Sequence, residues 1–403
     1  MRVLFAWELG GGLGHLARLA PWLNHFASRG ATPLLAARDL HALSRVPGCA
    51  AVLTLQAPFL PHGPLQAGFN VLSYPDILLS AGFGDAATLA TLVRAWQSVF
   101  HLGKIDALVA DFSPTAMLAA RLARIPVMHV GDGFTIPPVG HASQSFDSGA
   151  VTVTGGAARN AVERVLACVN QMLASAGEAA VDSIGSLLAA QETVLATYPE
   201  IDHYNGCQRT VPYAGHFDGM QGHDSGWRPV PGPRILAYLK PTAPEFEVTV
   251  DVLRRLPAQT RLYASGLVRP ADSTAGFGVT WHAAPMAFAG ALEGADMVVS
   301  NAGHGATCAA LLAGRPMCML PTFHEQLMTA RNVEALGAGE SLLQVRDPRR
   351  IRRGLVRVLE DPGMAAAAQA FAARHAAGAA GAAVRLAEIA GRFLNLVNSR
   401  EAT

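Results

Sequence analysis

Charge is scarce in this sequence. Only 15% of the 403 residues are charged, against roughly 25% in an ordinary soluble domain. The 31 Lys and Arg nearly balance the 30 Asp and Glu, leaving a formal charge of +1. A protein built to grip nucleic-acid phosphates needs a surplus of positive charge, so nucleic acid is not expected as a partner. Cysteine is scarce as well. The five (Cys49, Cys168, Cys207, Cys308 and Cys318) are odd in number and form no C-x-x-C pair, which excludes a disulfide framework and a zinc site. Long apolar runs are missing too: nothing reaches the ~18 uninterrupted residues of a membrane span. The Ala-rich stretch from Met364 to Ala390 comes nearest, and Arg374, His375, Arg385 and Glu388 interrupt it. The apolar run before Glu8 is too short for a signal peptide. A cytoplasmic location without integral membrane association is therefore expected.

Several catalytic signatures are also absent. No G-x-S-x-G elbow occurs, which removes the common serine-hydrolase reading. No D-x-D pair advertises a metal bridging a diphosphate. His324-Glu325 opens an H-E-x-x-H motif, but Met328 stands where the second histidine belongs.

What is abundant is apolar residues and glycine. A 51% hydrophobic chain of this length can bury a large core in two or three domains, and 40 Gly with 25 Pro imply many tight connections. The opening residues name a class. Val3 to Glu8 is an apolar run, Gly10-Gly11-Gly12-Leu13-Gly14 a turn, and Leu16, Leu19, Ala20, Leu23 and Ala27 recur at helical intervals up to Gly30. An apolar strand, Thr32 to Ala37, follows. Strand, glycine turn, helix and strand begin a parallel α/β sheet. A second such unit runs from Ile105 to Ala110 and Asp111, then into a helix opened by Pro114, then into a strand from Pro126 to Val130.

Between Asn205 and Pro233, glycines and prolines break all periodicity, which predicts an interdomain linker. The alternation then restarts: strands at Ile235 to Leu239, Arg261 to Ala264, Met297 to Ser300 and Met317 to Leu320, with helices near Pro244 to Leu256 and from about Ala306 to Leu312. The expected organisation is an N-terminal domain at 1–204, a linker at 205–233, a C-terminal domain at 234–380, and a final helix at 381–403 returning to the first domain. The arginines at 349, 350, 352, 353 and 357 are read as the solvated face of a late helix.

Two loops carry chemistry. Ser300 ends a strand and Asn301-Ala302-Gly303-His304-Gly305-Ala306-Thr307 leads into a helix. Free backbone N–H groups and the helix dipole there suit an anion such as a diphosphate. His15 sits at the head of the first helix, where a neutral imidazole suits a general base, and Asp111 at a neighbouring strand end is its candidate partner. The glycines before His15 only partly match a dinucleotide fingerprint, since His15 replaces the third glycine of G-x-G-x-x-G.

These residues together resemble the GT-B-fold glycosyltransferases of the UDP-glycosyltransferase family, including the bacterial macrolide- and natural-product-modifying members. Gly12-x-Gly14-His15 is similar to the family's catalytic-histidine loop, and Leu108-Val109-Ala110-Asp111 to the strand whose aspartate supports that histidine. Val211-Pro212-Tyr213-Ala214-Gly215 resembles the segment leading to the linker. Asn301 to Thr307 resembles the donor loop H-x-G-x-G-T, and Ala313-Gly314-Arg315-Pro316, Pro321, Glu325-Gln326 and Asn332 follow in the family's order. The departures are specific. Asn301 replaces a histidine on the diphosphate, Ala309 a glutamate on the ribose, and Glu325 an aspartate; Ala283 before Pro285 takes the place of a base-stacking aromatic, with Trp281 nearby; and Leu239-Lys240-Pro241 replaces a small glycine turn.

The resemblance implies an α/β GT-B fold, two Rossmann-like domains facing each other across a cleft. It implies an inverting transfer from a nucleotide sugar, UDP first and dTDP second, to a hydroxyl of a small, apolar or lipid-like acceptor. His15 and Asp111 are the implied catalytic pair. Asn301, Ala302, Gly303, His304, Gly305, Ala306, Thr307, Glu325, Gln326 and Lys240 are the implied donor contacts. Gly14, Glu8 and Phe83 are acceptor-side candidates, Phe83 as one of the aromatics Phe59, Phe69, Tyr74, Phe83, Trp96 and Phe100. No cofactor and no metal are expected; the nucleotide sugar is a co-substrate. No motif specifies an oligomeric state. The alternatives are a non-catalytic GT-B homologue acting as an activator, a nucleotide-sugar epimerase, and, weakest, a nicotinamide-dependent oxidoreductase.

Overall fold

A computed structural model describes residues 1–61, 71–140, 146, 155–217, 219–220, 226–229, 231–267, 269, 272–274, 277–286 and 288–401. The chain divides into two compact units. One comprises Met1–Pro199, Tyr204–Gly219 and Ala382–Thr403; the other comprises Glu200–His203 and Met220–Gly381.

The first unit holds six parallel strands: β1 (Arg2–Trp7), β2 (Thr32–Ala37), β3 (Leu53–Gln56), β4 (Ala107–Asp111), β5 (Val127–Gly131) and β6 (Glu192–Leu195), in the order 3-2-1-4-5-6. Strands buried on both faces read as continuous apolar runs, and β1 and β4 do so. The order reverses between β1 and β4, and open α/β sheets bind ligands in the crevice at such a switch point. The register places Trp7 opposite Asp111 at that edge. The helix Gly14–Ser28 follows β1, and Pro114 occupies the first turn of the helix Pro114–Leu122, where a missing N–H costs nothing. The apolar pair Tyr74–Phe83 and Ala86–Gly103, bent by 77°, buries Tyr74, Ile77, Leu78, Phe83, Leu89 and Trp96 in the unit's core. Among the described residues no single helix is long and apolar enough to cross a membrane.

The C-terminal helix Ala382–Glu401 belongs to this first unit. Phe393 meets Phe26 at 6.4 Å, Arg392 pairs with Glu192 at 2.7 Å, and Arg385 Nε donates to the Ala214 carbonyl at 3.0 Å.

The second unit has seven strands: β7 (Arg234–Leu239), β8 (Gln259–Ala264), β9 (Asp272–Thr274), β10 (Phe277–His282), β11 (Met297–Ser300), β12 (Met317–Met319) and β13 (Gly339–Ser341), ordered 13-12-11-7-8-10-9. All pair in parallel except β9 with β10. Without that antiparallel edge, the order repeats the pattern of the first sheet, and its switch point lies between β7 and β11. Ile235, Ala237, Val279, Met297 and Val299 pack with Phe246, Leu253 and Leu355 in its core.

The Gly- and Pro-rich stretch expected as a linker is divided between the units. Tyr213 bridges to Leu195, and the Ala214 and Gly215 N–H groups donate to the Leu195 and Thr197 carbonyls at 2.8 and 3.2 Å. Trp227 instead joins the second unit, donating from Nε1 to the Ala291 carbonyl at 3.1 Å. Residues 218, 221–225 and 230 of that stretch lie outside the described residues.

Candidate active site

The switch point of the first sheet gathers a buried polar cluster. His15 stands in the first turn of its helix, and its Nδ1 lies 2.9 Å from Asp111 Oδ1. A carboxylate can only accept, so this contact makes Nδ1 the protonated nitrogen of the neutral ring and leaves Nε2 as the free base. Asp111 is fully buried, whereas 12% of the His15 side chain reaches solvent. Trp7 and Phe112 flank the imidazole, with ring centroids at 5.4 and 5.9 Å and planes within 20° and 23°. The ring is thus held edge-on to the carboxylate between two aromatic faces.

The backbone makes room for it. Gly10 has φ +79°, and a Cβ there would lie 2.5 Å from His15 Nε2, closer than real atoms approach. Phe112 takes a left-handed conformation at φ +47°, and its carbonyl accepts from Leu9 N–H at 3.0 Å. The turns after β1 and β4 are thereby tied together.

Arg18, one helical turn beyond His15, reaches the same carboxylate. Its Nε lies 2.9 Å from Asp111 Oδ2, and its Nη1 lies 2.9 Å from Oδ2 of Asp132, the residue after β5. Asp132 Oδ1 accepts the Phe134 and Thr135 N–H groups at 3.1 Å each. On β5, burial pushes the His129 imidazole down to about 4, so it stays neutral near Asp111 and Asp132. The structure brings together His15 and Asp111, which the sequence analysis pairs, and adds Arg18, Asp132, Trp7 and Phe112, which it does not name. Only the three-residue spacing of His15 and Arg18 on one helix hinted at the first of these.

The acceptor-side candidates fall differently. Gly14 is the first residue of the His15 helix and is exposed. Glu8 is buried, and its carboxylate accepts the Thr115 and Ala116 N–H groups at 3.4 and 3.2 Å, at the start of the helix Pro114–Leu122. Burial outweighs those donors and raises its carboxyl to about 7. Phe83, expected toward the acceptor, is instead fully buried in the core, as are Tyr74 and Trp96. Apolar packing claims a large ring wherever it can be covered completely. Phe59 is partly exposed beneath the Arg38 guanidinium at 4.3 Å, and Phe69 lies outside the described residues.

The second switch point is built around Asn301. Its Oδ1 accepts from Lys240 N–H at 2.7 Å, and its Nδ2 donates to the Leu320 carbonyl at 2.8 Å. One amide therefore joins the ends of β7, β11 and β12. Ala302 is left-handed at φ +58° and buried, and Gly303 caps the helix His304–Leu312. The helix begins two residues earlier than expected, because Gly305 fits within its first turn, where backbone N–H groups have no helical partner. The N–H groups of His304, Gly305 and Ala306 are those first-turn donors, while Thr307 N–H already bonds the Gly303 carbonyl at 3.0 Å. The His304 ring stands 5.5 Å from that of His203, and Cys308 Sγ lies 3.7 Å from its nitrogens.

Lys240 is mostly buried, with its ammonium 4.4 Å above the Phe323 ring, and burial lowers its pKa against the opposing pull of Glu325. Glu325 Oε1 lies 3.6 Å from His203 Nε2. Gln326 is buried, and its Oε1 accepts from the Thr322 N–H and hydroxyl at 2.9 Å each. Ala309 is partly buried on the helix His304–Leu312, and Ala283 is exposed. Trp281 is a core residue packed on Phe246 at 6.4 Å. Among the described residues no group of three or more His, Cys, Asp and Glu side chains is arranged to hold a metal.

Comparison with known proteins agrees with this architecture. Residues 280–392 match the family described as Erythromycin biosynthesis protein CIII-like, C-terminal domain. The chain is similar to the glycotransferase of kitacinnamycin, at 18% identity and TM-score 0.67 over 97% of this chain and 98% of that one. It is similar to the spinosyn rhamnosyltransferase SpnG, at 16% identity and TM-score 0.64 over 94% and 96%; other structures of that protein are titled as complexes with thymidine diphosphate and with spinosyn aglycone. It is also similar to the glycosyltransferase SnogD from Streptomyces nogalater, at 17% identity and TM-score 0.60 over 98% and 99%. No curated protein is matched by sequence at significance. The chain thus has the GT-B fold in the form carried by natural-product glycosyltransferases.

Proposed function

We propose that this chain is an inverting glycosyltransferase that moves a sugar from a nucleoside diphosphate to a hydroxyl of a small, apolar acceptor. The observation that carries the reading is the 2.9 Å contact between His15 Nδ1 and Asp111 Oδ1 at the switch point of the first sheet. His15 Nε2 takes the acceptor proton as the oxygen attacks the anomeric carbon, and Asp111 balances the imidazolium that results. Attack from the face opposite the departing diphosphate inverts the anomeric centre. The leaving group gathers negative charge, and the first-turn N–H groups of His304, Gly305 and Ala306 with the helix dipole supply the opposing field. Lys240 is near enough to Glu325 to feel its charge, and both belong to the proposed donor side with Gln326.

Thymidine diphosphate is the favoured nucleotide, because SpnG is titled in complex with it, and uridine diphosphate is second. The five free cysteines suit a reducing compartment, the cytoplasm. The test is a thermal-shift titration with dTDP and UDP in EDTA. At 100 times Kd a ligand stabilises by ~2.7 kcal/mol, so a clear rise in Tm is expected without divalent metal. Binding that vanishes in EDTA and returns with magnesium or manganese contradicts the metal-free leaving-group account. No binding of either nucleotide, free or sugar-linked, contradicts the transferase reading itself.

A further inference from the structure

We infer that Arg18 is a positioning residue of the catalytic base, and that the working unit is the relay His15–Asp111–Arg18–Asp132 rather than a histidine and an aspartate alone. The inference rests on His15 being the base. The geometry is continuous. Asp111 offers one oxygen to His15 at 2.9 Å and the other to Arg18 Nε at 2.9 Å, and the guanidinium continues to Asp132 at 2.9 Å. Asp132 is anchored in turn by the Phe134 and Thr135 N–H groups. His15 and Arg18 leave the same face of one helix, so a single element sets both ends of the carboxylate.

Two consequences follow from this arrangement. A carboxylate held by one oxygen only can rotate about its Cβ–Cγ bond, whereas the ion pair of Arg18 Nε with the second oxygen at 2.9 Å, without the alignment of a hydrogen bond, opposes that rotation by charge attraction. Arg18 therefore fixes the plane in which Asp111 meets the His15 ring. The second consequence is electrostatic. Arg18 alone would cancel the Asp111 charge, leaving nothing to stabilise an imidazolium. Asp132 supplies the second anion. The formal charges of Arg18, Asp111 and Asp132 leave one negative charge while His15 is neutral, and proton transfer to His15 makes the cluster neutral. Other titratable groups at this edge include His129, neutral on β5, Glu8, raised to about 7, Tyr74, which burial keeps protonated, and Arg38, whose Nη1 donates to the Glu8 carbonyl at 3.1 Å; the carboxylates of Asp111 and Asp132 have their 2.9 Å ion pairs with Arg18. A lysine carries the charge but cannot span two carboxylates with fixed geometry.

The experiment reads the His15 tautomer by ¹⁵N NMR of labelled protein near neutral pH, with the resonance assigned by its loss in His15→Ala. No acceptor or donor is needed, so the outcome is independent of whether transfer activity is found. The wild-type ring is expected as a single tautomer with Nδ1 protonated and Nε2 bare. Arg18→Met is expected to give a mixture of tautomers, and Arg18→Lys an intermediate state. Because Arg18→Met leaves two buried anions facing each other, Arg18→Met/Asp132→Asn is made alongside it to remove the excess charge and keep the fold. A single Nδ1–H tautomer persisting in the folded double variant or in Arg18→Lys overturns the inference and reduces Arg18 to a structural ion pair.

Discussion

Glu8 and His129 show how single residues at the first switch point carry opposite burdens. Both are buried at the edge that holds His15, and burial favours the neutral form of each. Glu8 keeps its proton up to about 7 in the folded protein, against 4.5 unfolded. Its contribution to stability is therefore complete below about 4.5 and is lost as pH rises through 7. His129 resists protonation down to about 4, against 6.5 unfolded. Its contribution is complete above about 6.5 and is lost as pH falls through 4. Each of these displacements corresponds to roughly 3 kcal/mol. Within one window the two nearly cancel. Glu8→Gln is expected to raise Tm at pH 8, change little at pH 4, and expose a steeper loss of stability on acidification. Urea unfolding of wild type and Glu8→Gln between pH 4 and 8 checks this; parallel pH curves for the two proteins would show that the Glu8 proton is unimportant.

At the scale of elements, Asn301 is a fastener before it is a ligand. The family resemblance gave this position to the diphosphate, yet both ends of its amide are spent on Lys240 N–H and the Leu320 carbonyl. In the proposed function the phosphate contacts are instead the first-turn N–H groups of the helix His304–Leu312, which follows the fastened loop. Asn301→Ala strands a buried donor and a buried acceptor, and an unsatisfied buried group costs roughly 1–3 kcal/mol. A loss of about 2–4 kcal/mol in urea unfolding is expected, together with weaker nucleotide binding. Full retention of both stability and affinity would show that the three strand ends hold without it.

The same elements explain what could be read in advance. Apolar runs closing on Asp111 and on Ser300, with Pro114 or Gly303 just beyond, are strong local signals, so both switch-point loops were legible. The helix His304–Leu312 starts two residues before the expected Ala306 because Gly305 resembles a loop glycine while standing in a helical first turn. The strand β9 has only three residues and no periodicity marks it, whereas β10 carries an alternation of Phe277, Val279 and Trp281 that the sequence analysis does not use. The stretch after Asn205 reads as a linker because of its Gly and Pro, yet Tyr213 to Gly215 finds partners on Leu195 and Thr197, far outside any local window. The Arg18 relay was illegible for a related reason: Arg18, Asp111 and Asp132 meet only when three strands are laid side by side.

Across the whole molecule, two sheets of the same strand order each place their chemistry at the point where that order reverses. The first unit presents the His15–Asp111–Arg18–Asp132 cluster, the proposed base with its relay, and the second presents the start of the helix His304–Leu312, the proposed site of the diphosphate. Phe112 and Ala302 occupy matching places in the two halves, both non-glycine residues with positive φ just after the corresponding strands β4 and β11. The proposed function makes a sharp demand, since it assigns binding of the nucleotide and removal of the proton to different units. The measurement that tests this most directly is steady-state transfer from a dTDP- or UDP-sugar by wild type and His15→Ala, paired with the nucleotide thermal shift of each. Turnover is expected to fall by roughly 10²–10⁴-fold, while the thermal shift with dTDP or UDP stays the same. Near-normal turnover in a folded His15→Ala protein would contradict the account and move the base elsewhere.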